Sequence, residues 1–382
     1  MPYRTRRWWL STFLAVCMIG CGSRADLGTA LDLHDQQPSA TAAGAWPSSS
    51  GGRTGGAVTT STKVSNNLGG SGAMILGGNK PQGTLGSANV GGGTGGSKAP
   101  WALAGAASGR IVAIGDLHSD IQATRRAFEL AGATNPDGEW IGGALTVVQL
   151  GDLIGRGDDE RQVLDFIFDL RGKAEAAGGK LYNLIGNHEI MAARVDNQAV
   201  GNNPFPGFED LPDLALDDPR LQQLPENQRA RGAALMAGGT IAKRLAEFET
   251  VLQIGQTIFV HGGVTPKWAQ YGIDQINHEV SQWLSSNISV PTSTLGYDDG
   301  DRVMWTRQFS SGVDVSDCAL LEQTLSMLGT KRMVVAHTVQ PTIRSLCNEQ
   351  LWIIDVGMAR YYGGPIEVLQ IEDDTYLTVL RY

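Results

Sequence analysis

Short runs of apolar, mostly β-branched residues recur between residues 111 and 337, and five of them end on polar residues able to hold a metal ion. Ile111-Val112-Ala113-Ile114 leads into Gly115-Asp116-Leu117-His118, and Leu145-Thr146-Val147-Val148-Gln149-Leu150 leads into Gly151-Asp152. Leu181-Tyr182-Asn183-Leu184-Ile185 leads into Gly186-Asn187-His188-Glu189. Thr257-Ile258-Phe259-Val260 leads into His261-Gly262-Gly263, and Met333-Val334-Val335-Ala336 into His337-Thr338. Nearly continuous apolar runs of this length predict strands buried on both faces. Between the first three runs lie amphipathic stretches. One covers Asp120 to Leu130 and closes near Gly132; another covers Asp159 to Ala177 and closes at Gly178-Gly179, a good carboxyl-end stop. Alternating strands and helices predict an α/β domain with largely parallel sheets and helices outside. In such sheets, sites gather beyond the carboxyl ends of the strands, where all five polar clusters fall. His278 lies in a further amphipathic stretch, Asn277 to Leu284, and reads as a helix residue without chemistry.

Charge and glycine divide the chain of 382 residues unevenly. The first hundred residues carry 8 basic and 3 acidic side chains, which leaves 22 basic and 36 acidic ones in residues 101–382. So acidic a core does not suit nucleic acid or an anionic membrane surface, both of which need a positive field. Residues 22–100 hold 19 of the 50 glycines, with Ser, Thr and Ala making up much of the rest. Such a stretch buries too little apolar surface to offset its ordering entropy, so it predicts a disordered tether with a span of roughly 50 Å. Residues 101–382 are long enough for a sizeable core.

Residues 1–21 read as an export signal. Three arginines precede an apolar run from Trp8 to Gly20, too short to span a bilayer as a helix. Met18-Ile19-Gly20-Cys21 resembles a bacterial lipoprotein lipobox, although Met18 stands where Leu is usual, and it nominates Cys21 for lipid attachment. Thr5-Arg6-Arg7-Trp8-Trp9-Leu10 also has features of a twin-arginine signal, so the export route stays open. The expected location is the periplasmic face of a bacterial membrane, or otherwise the secreted fraction. Cys17 and Cys21 belong to this segment. Cys318 and Cys347 either pair, as an oxidising compartment permits, or remain two buried thiols.

The polar clusters combine into one chemistry. Asp116, His118, Asp152, Asn187, His261 and His337 offer two carboxylates, three imidazoles and one amide oxygen. A nitrogen and oxygen set without thiolate suits Mn, Fe, Zn or Ni. Six ligands exceed one four-coordinate site, and a carboxylate such as Asp152 can bridge two ions. Two such ions roughly 3.5–4 Å apart clamp a phosphoryl group and yield hydroxide near neutral pH. Glycines beside the ligands let backbone and substrate approach closely. Four of the six histidines fall in these clusters, each beyond an apolar run, which a chance arrangement of core histidines does not explain.

The ordered set Gly-Asp-x-His, Gly-Asp-x-x-x-Arg-Gly, Gly-Asn-His-Glu, Val-His-Gly-Gly and a late His-Thr resembles the calcineurin-like metallophosphoesterases. Arg156-Gly157-Asp158-Asp159-Glu160, Trp305-Thr306-Arg307 and the run Asp355 to Gly364 are similar to the Shewanella-like protein phosphatases, a bacterial and plant branch of the phosphoprotein phosphatases. The resemblance covers roughly residues 108–382. It implies a sandwich of two mixed β-sheets flanked by helices. It also implies a first metal site of Asp116, His118 and Asp152 and a second of Asp152, Asn187, His261 and His337. His188 would be the general acid, and Arg156 and Arg307 would clamp phosphate oxygens. The implied activity is hydrolysis of phosphomonoesters, those of phosphoproteins first, by hydroxide held between two metal ions.

The sequence departs from this pattern at Gly155, where the family usually has the Asp that orients the catalytic His. Asp158, Asp159 and Glu189 are the nearby carboxylates available as substitutes. Ser119 stands where Gly is common. Diadenosine tetraphosphatases carry Ala at the position of Gly155, which keeps hydrolysis of nucleotide anhydrides or other small phosphorylated molecules as the alternative. An inactive binding module is a third reading. Residues 195–250, which include a helical stretch near Ala233 to Phe248, separate the third and fourth motifs. They are expected to overhang the site and set substrate choice.

Overall fold

The computed structural model describes residues 102–103, 109–200, 205–286, 290 and 300–382. The expected signal segment, Cys21 and the Gly-rich stretch lie outside these residues. Two mixed sheets share one continuous core. The first has the strand order β11-β10-β2-β3-β4, built from β2 (Arg110–Ile114), β3 (Thr146–Gln149), β4 (Lys180–Asn183), β10 (Glu367–Glu372) and β11 (Tyr376–Arg381). The second has the order β1-β5-β6-β7-β9-β8. Its strands are β1 (Ala102–Leu103), β5 (Val251–Ile254), β6 (Thr257–Val260), β7 (Arg332–Val335), β8 (Arg344–Leu346) and β9 (Leu351–Ile353).

Parallel pairing covers only part of each sheet, and in the second sheet it recurs at the edge where β1 joins β5. β2, β3 and β4 run parallel, as do β6, β7 and β9. Hairpin partners flank them antiparallel: β10 and β11 on the first sheet, β5 and β8 on the second. The expectation of largely parallel sheets is corrected there. Central strands read as solid apolar runs because both faces are covered. The edge strands β8 and β11 are only half-buried or exposed and alternate too weakly to stand out.

The helices match their sequence signals closely. In α1 (Ile121–Leu130), Asp120 caps the start by accepting the Gln122 and Ala123 amides, and Gly132 follows the end at φ +68°. The second helix, α2 (Glu160–Ala176), ends before Gly178 at φ +82°. A short α3 (Asn187–Ala193) follows β4 directly. Residues 195–250 do not hold one long helix. They form α4 (Glu226–Leu235) and α5 (Thr240–Leu245), broken at Gly238-Gly239. After α6 (Pro266–Tyr271), α7 (Ile273–Ser286) carries His278 on its exposed face. The last helix, α8 (Val315–Leu328), has a reciprocal Asp314–Asp317 cap at its start and Gly329 in the left-handed region at its end.

Cys318 of α8 is bonded to Cys347 beyond β8, with Cα atoms 5.3 Å apart, so the alternative of two free thiols falls. The bridge spans 29 residues, worth roughly 3.5 kcal/mol in the loop-entropy account.

Candidate active site

Five turns at the carboxyl ends of β2, β3, β4, β6 and β7 meet in one buried place. β2 delivers Asp116 and His118, β3 delivers Asp152, and β4 delivers Asn187 and His188 on the first turn of α3. β6 delivers His261, and β7 delivers His337. These seven side chains are all at least nine-tenths buried. Tight local geometry aims them. His118, Asp152, Arg156 and His337 adopt φ between 45° and 68°, the left-handed region that L-residues otherwise avoid. Gly186 is obligatory where β4 enters the site: a Cβ there would lie 2.2 Å from Asp152 Oδ1.

Two donor clusters share Asp152. In the first, His118 Nε2 lies 3.6 Å from Asp116 Oδ2 and 3.7 Å from Asp152 Oδ2. In the second, His261 Nε2 lies 2.9 Å from Asn187 Oδ1, 3.1 Å from His337 Nδ1 and 3.4 Å from Asp152 Oδ2. The other ring nitrogens fix the tautomers. His118 Nδ1 donates to the Ile154 carbonyl and His261 Nδ1 to that of Leu150, so both Nε2 lone pairs point inward. Among the described residues, Asp116 Oδ1 is buried without a hydrogen-bond partner. An orphaned carboxylate oxygen facing converging imidazoles is a donor set that fits divalent ions.

The electrostatics agree with that fit. Burial pushes His118 down to about 4 and His261 to about 3, and holds His188 and His337 well below the usual imidazole range. Neutral imidazoles are the ligand form. Burial, then Asp355 and Asp152, raises Asp116 well above the carboxylate range; Asp152 is raised chiefly by burial as well. Crowded buried carboxyls of this kind gain from a cation.

His188 lies beside both clusters. Its Nε2 is 3.8 Å from Asp152 Oδ2, and its ring packs on His118 at 4.6 Å between centroids. Among the described residues Nδ1 has no hydrogen-bond partner. The expected substitutes for the missing Asp are committed elsewhere. Glu189 accepts the amides of Asp152, Leu153, Ile154 and Gly186. Asp159 accepts from Gln162 and the Ile121 amide and lies 3.7 Å from Arg360. Asp158 is exposed on the outer rim.

Arg156 lies over the Tyr361 ring, 5.5 Å from its centroid. With His118, Asp120, Gly157 and Arg360 they line a cavity of about 270 Å³ at the mouth of the site. Arg307, exposed, donates to the His337 carbonyl and to Thr338 Oγ1. Residues 195–250 support the loop that carries Arg156: the Ala199 carbonyl accepts the Arg156 amide, and Arg231 reaches inward to Glu160.

Sequence reading missed Asp355 as a site residue. It is buried and pushed up to about 6, by burial first and also by Asp152, and it accepts the Gly357 amide at 2.9 Å. Its signal was present, because it follows the apolar run Leu351-Trp352-Ile353-Ile354 as the other ligands follow theirs.

Comparison with known proteins gives a consistent result. The family model described as calcineurin-like phosphoesterase matches residues 109–341. Shewanella-like protein phosphatase 2 of Arabidopsis thaliana is 36% identical over 301 residues, which covers 71% of this chain and 77% of the plant protein. Shewanella-like protein phosphatase 1 of Plasmodium berghei is 27% identical over 276 residues, covering 70% and 72%. The crystal structure of a cold-active protein tyrosine phosphatase from a psychrophilic Shewanella superposes with a TM-score of 0.55 at 22% identity, covering 74% of this chain and 83% of that one.

Proposed function

Because this chain belongs to the calcineurin-like phosphoesterase family, in its Shewanella-like protein phosphatase branch, we propose that it hydrolyses phosphomonoesters on phosphoproteins at a two-metal site. The observation that carries this reading is the convergence of six donor side chains into two clusters that share Asp152. Asp116, His118 and Asp152 would hold one ion; Asp152, Asn187, His261 and His337 would hold the other, with Mn, Fe and Zn all suited to the donors. Bound there, the ions supply Lewis acidity toward phosphoryl oxygens and acidify water.

The chain's own groups divide the remaining work. Arg156, beside His118, and Arg307, beside His337, carry guanidinium groups able to bind phosphate oxygens, and their charge favours the more anionic transition state. His188 Nε2 faces the shared carboxylate; an incoming phosphate's negative charge would favour the imidazolium against the burial that otherwise keeps the ring neutral, which makes His188 the group to hand a proton to the leaving oxygen. The mouth beside His118 is lined by Arg156, Arg360 and the exposed Tyr361. An open rim of that kind suits a phosphorylated side chain projecting from a protein.

The decisive experiment uses the purified protein with added Mn²⁺. Turnover of p-nitrophenyl phosphate followed by preference for phosphopeptides supports the reading. Preference for dinucleoside polyphosphates would move the substrate to nucleotide anhydrides, and no turnover with metal bound would leave a binding module.

We further propose export and lipid attachment at Cys21. The Cys318–Cys347 bridge supports an oxidising compartment. Cys21→Ala should shift the protein from the membrane to the soluble fraction; an unchanged distribution would remove the anchor.

A further inference from the structure

From Asp152 to Gly157 every backbone N–H donates to an acceptor, and most of the acceptors come from outside this loop. Glu189 takes the amides of Asp152, Leu153 and Ile154. Glu160 Oε2 takes the Gly155 amide at 3.2 Å, and the Ala199 carbonyl takes the Arg156 amide at 3.1 Å. Gly157 donates to the carbonyls of His118 and Gly155. A buried loop held this completely has little freedom to drift.

Glu160 is itself fixed. It is 1% exposed, and Arg231 of α4 grips it with two bonds, Nε to Oε1 at 2.6 Å and Nη2 to Oε2 at 3.0 Å. Arg231 is 2% exposed. Its remaining nitrogen donates to Asn197 Oδ1 at 3.0 Å, and its guanidinium lies 4.8 Å over the Phe205 ring. A buried ion pair is weak evidence for stability, since desolvation consumes most of its attraction. Its geometry is therefore more informative than its energy. It ends on the Gly155 N–H.

Gly155 is the surface against which His188 rests. At φ +81°, its missing Cβ would fall 2.2 Å from His188 Nδ1 and 3.0 Å from Cε1. The ring nitrogen that has no carboxylate partner instead abuts backbone. We propose that the Glu160–Arg231 pair is a positioning device for His188, acting through Gly155, so that residues 195–250 contribute to proton delivery as well as to the rim. The inference rests on the acid role of His188 proposed above.

A lost positioning contact should weaken proton donation, which matters little for a good leaving group and much for a poor one. Glu160→Gln keeps the shape of the site and removes the charge. Asn197→Ala is milder and removes one bond to Arg231, which keeps the test available if the first variant fails to fold. Both are compared with the full chain, at full metal content, on p-nitrophenyl phosphate and on a phosphoserine peptide. The expected result is an unchanged KM with kcat down about tenfold on the peptide and about twofold on the nitrophenyl ester, a fraction of what losing a general acid costs. In the His188→Asn background the same substitutions should add nothing.

Equal losses on both substrates, or losses that persist undiminished in the His188→Asn background, would overturn the inference and leave the pair a stabiliser. If His188→Asn alone slows both substrates equally, the acid role fails, and the inference with it. That outcome is read without either positioning variant, so the two failures are distinct.

Discussion

The ligand clusters and the rim that adjoins them are built in opposite ways. Each ligand stands one to four residues beyond the carboxyl end of a strand, and neighbouring strands in register bring their ends together. The Gly155–Gly157 rim has no strand beneath it. Its amides depend on Glu160, on Ala199 and, through Glu160, on Arg231, which is 71 residues away. Damage to the first region should remove metal. Damage to the second should leave metal in place and spoil the alignment of His188.

The sharpest contrast comes from Asp152, the carboxylate in both clusters. Asp152→Asn should release metal and cost more activity than Asp116→Asn, well beyond the roughly 10–100-fold typical of altering a partner behind a ligand. Two ions per chain with full turnover in that variant would break the bridging assignment.

His188→Asn should retain both ions and lose roughly 10²–10⁴-fold in kcat, as expected for a general acid. Metal analysis decides the matter, because His188 Nε2 lies within ligand reach of Asp152 and His118. Loss of metal would move His188 into the ligand set and dissolve the contrast.

Gly155→Asp tests the rim. Reinstating the usual family residue looks restorative on paper. The space is already filled by the His188 ring, and the backbone lies at φ +81°. The substitution should reduce kcat and destabilise the fold by roughly 1–3 kcal/mol, as overpacking does. A gain in kcat, with the alkaline limb of the pH profile moved upward, would show that the loop yields to make the His–Asp pair.

The smallest effect separates the two regions by pH. Glu189, the clamp of the Asp152 loop, is pushed up to about 8 by burial and by Asp152. A carboxyl raised above its unfolded value stabilises below that value and loses the contribution as pH rises through the folded one. The loss runs from the ordinary glutamate range up to about pH 8, so metal-stripped protein should lose thermal stability as pH rises from about 7 to 8 and level off above it. Cations beside Asp152 offset that charge, so the Tm gap between loaded and stripped protein should widen. A constant gap would mean that Glu189 is already ionised without metal.

Much of the molecule was legible from its sequence. The five apolar runs located β2, β3, β4, β6 and β7 within a residue or two, and Asp120, Gly132 and Gly178 marked helix ends correctly. Edge strands were harder because a half-buried strand shares its face with water. Asp355 was missed although its own apolar run pointed to it. The helical stretch near Ala233 to Phe248 is divided between the end of α4 and α5, with Gly238 and Gly239 between them.

What the sequence determined by itself is the set of ligands and their order, because a ligand at a strand end depends on a few adjacent residues. It also bounded the cysteine question without answering it. Tertiary structure decided the pairing of Cys318 with Cys347, the commitment of Glu189 to backbone amides, and the reason position 155 is glycine. Each of these turns on two groups far apart in the chain arriving within a few ångströms, and no local pattern records such a distance. Buried amides must find acceptors, and only the folded chain decides which carboxylate reaches them.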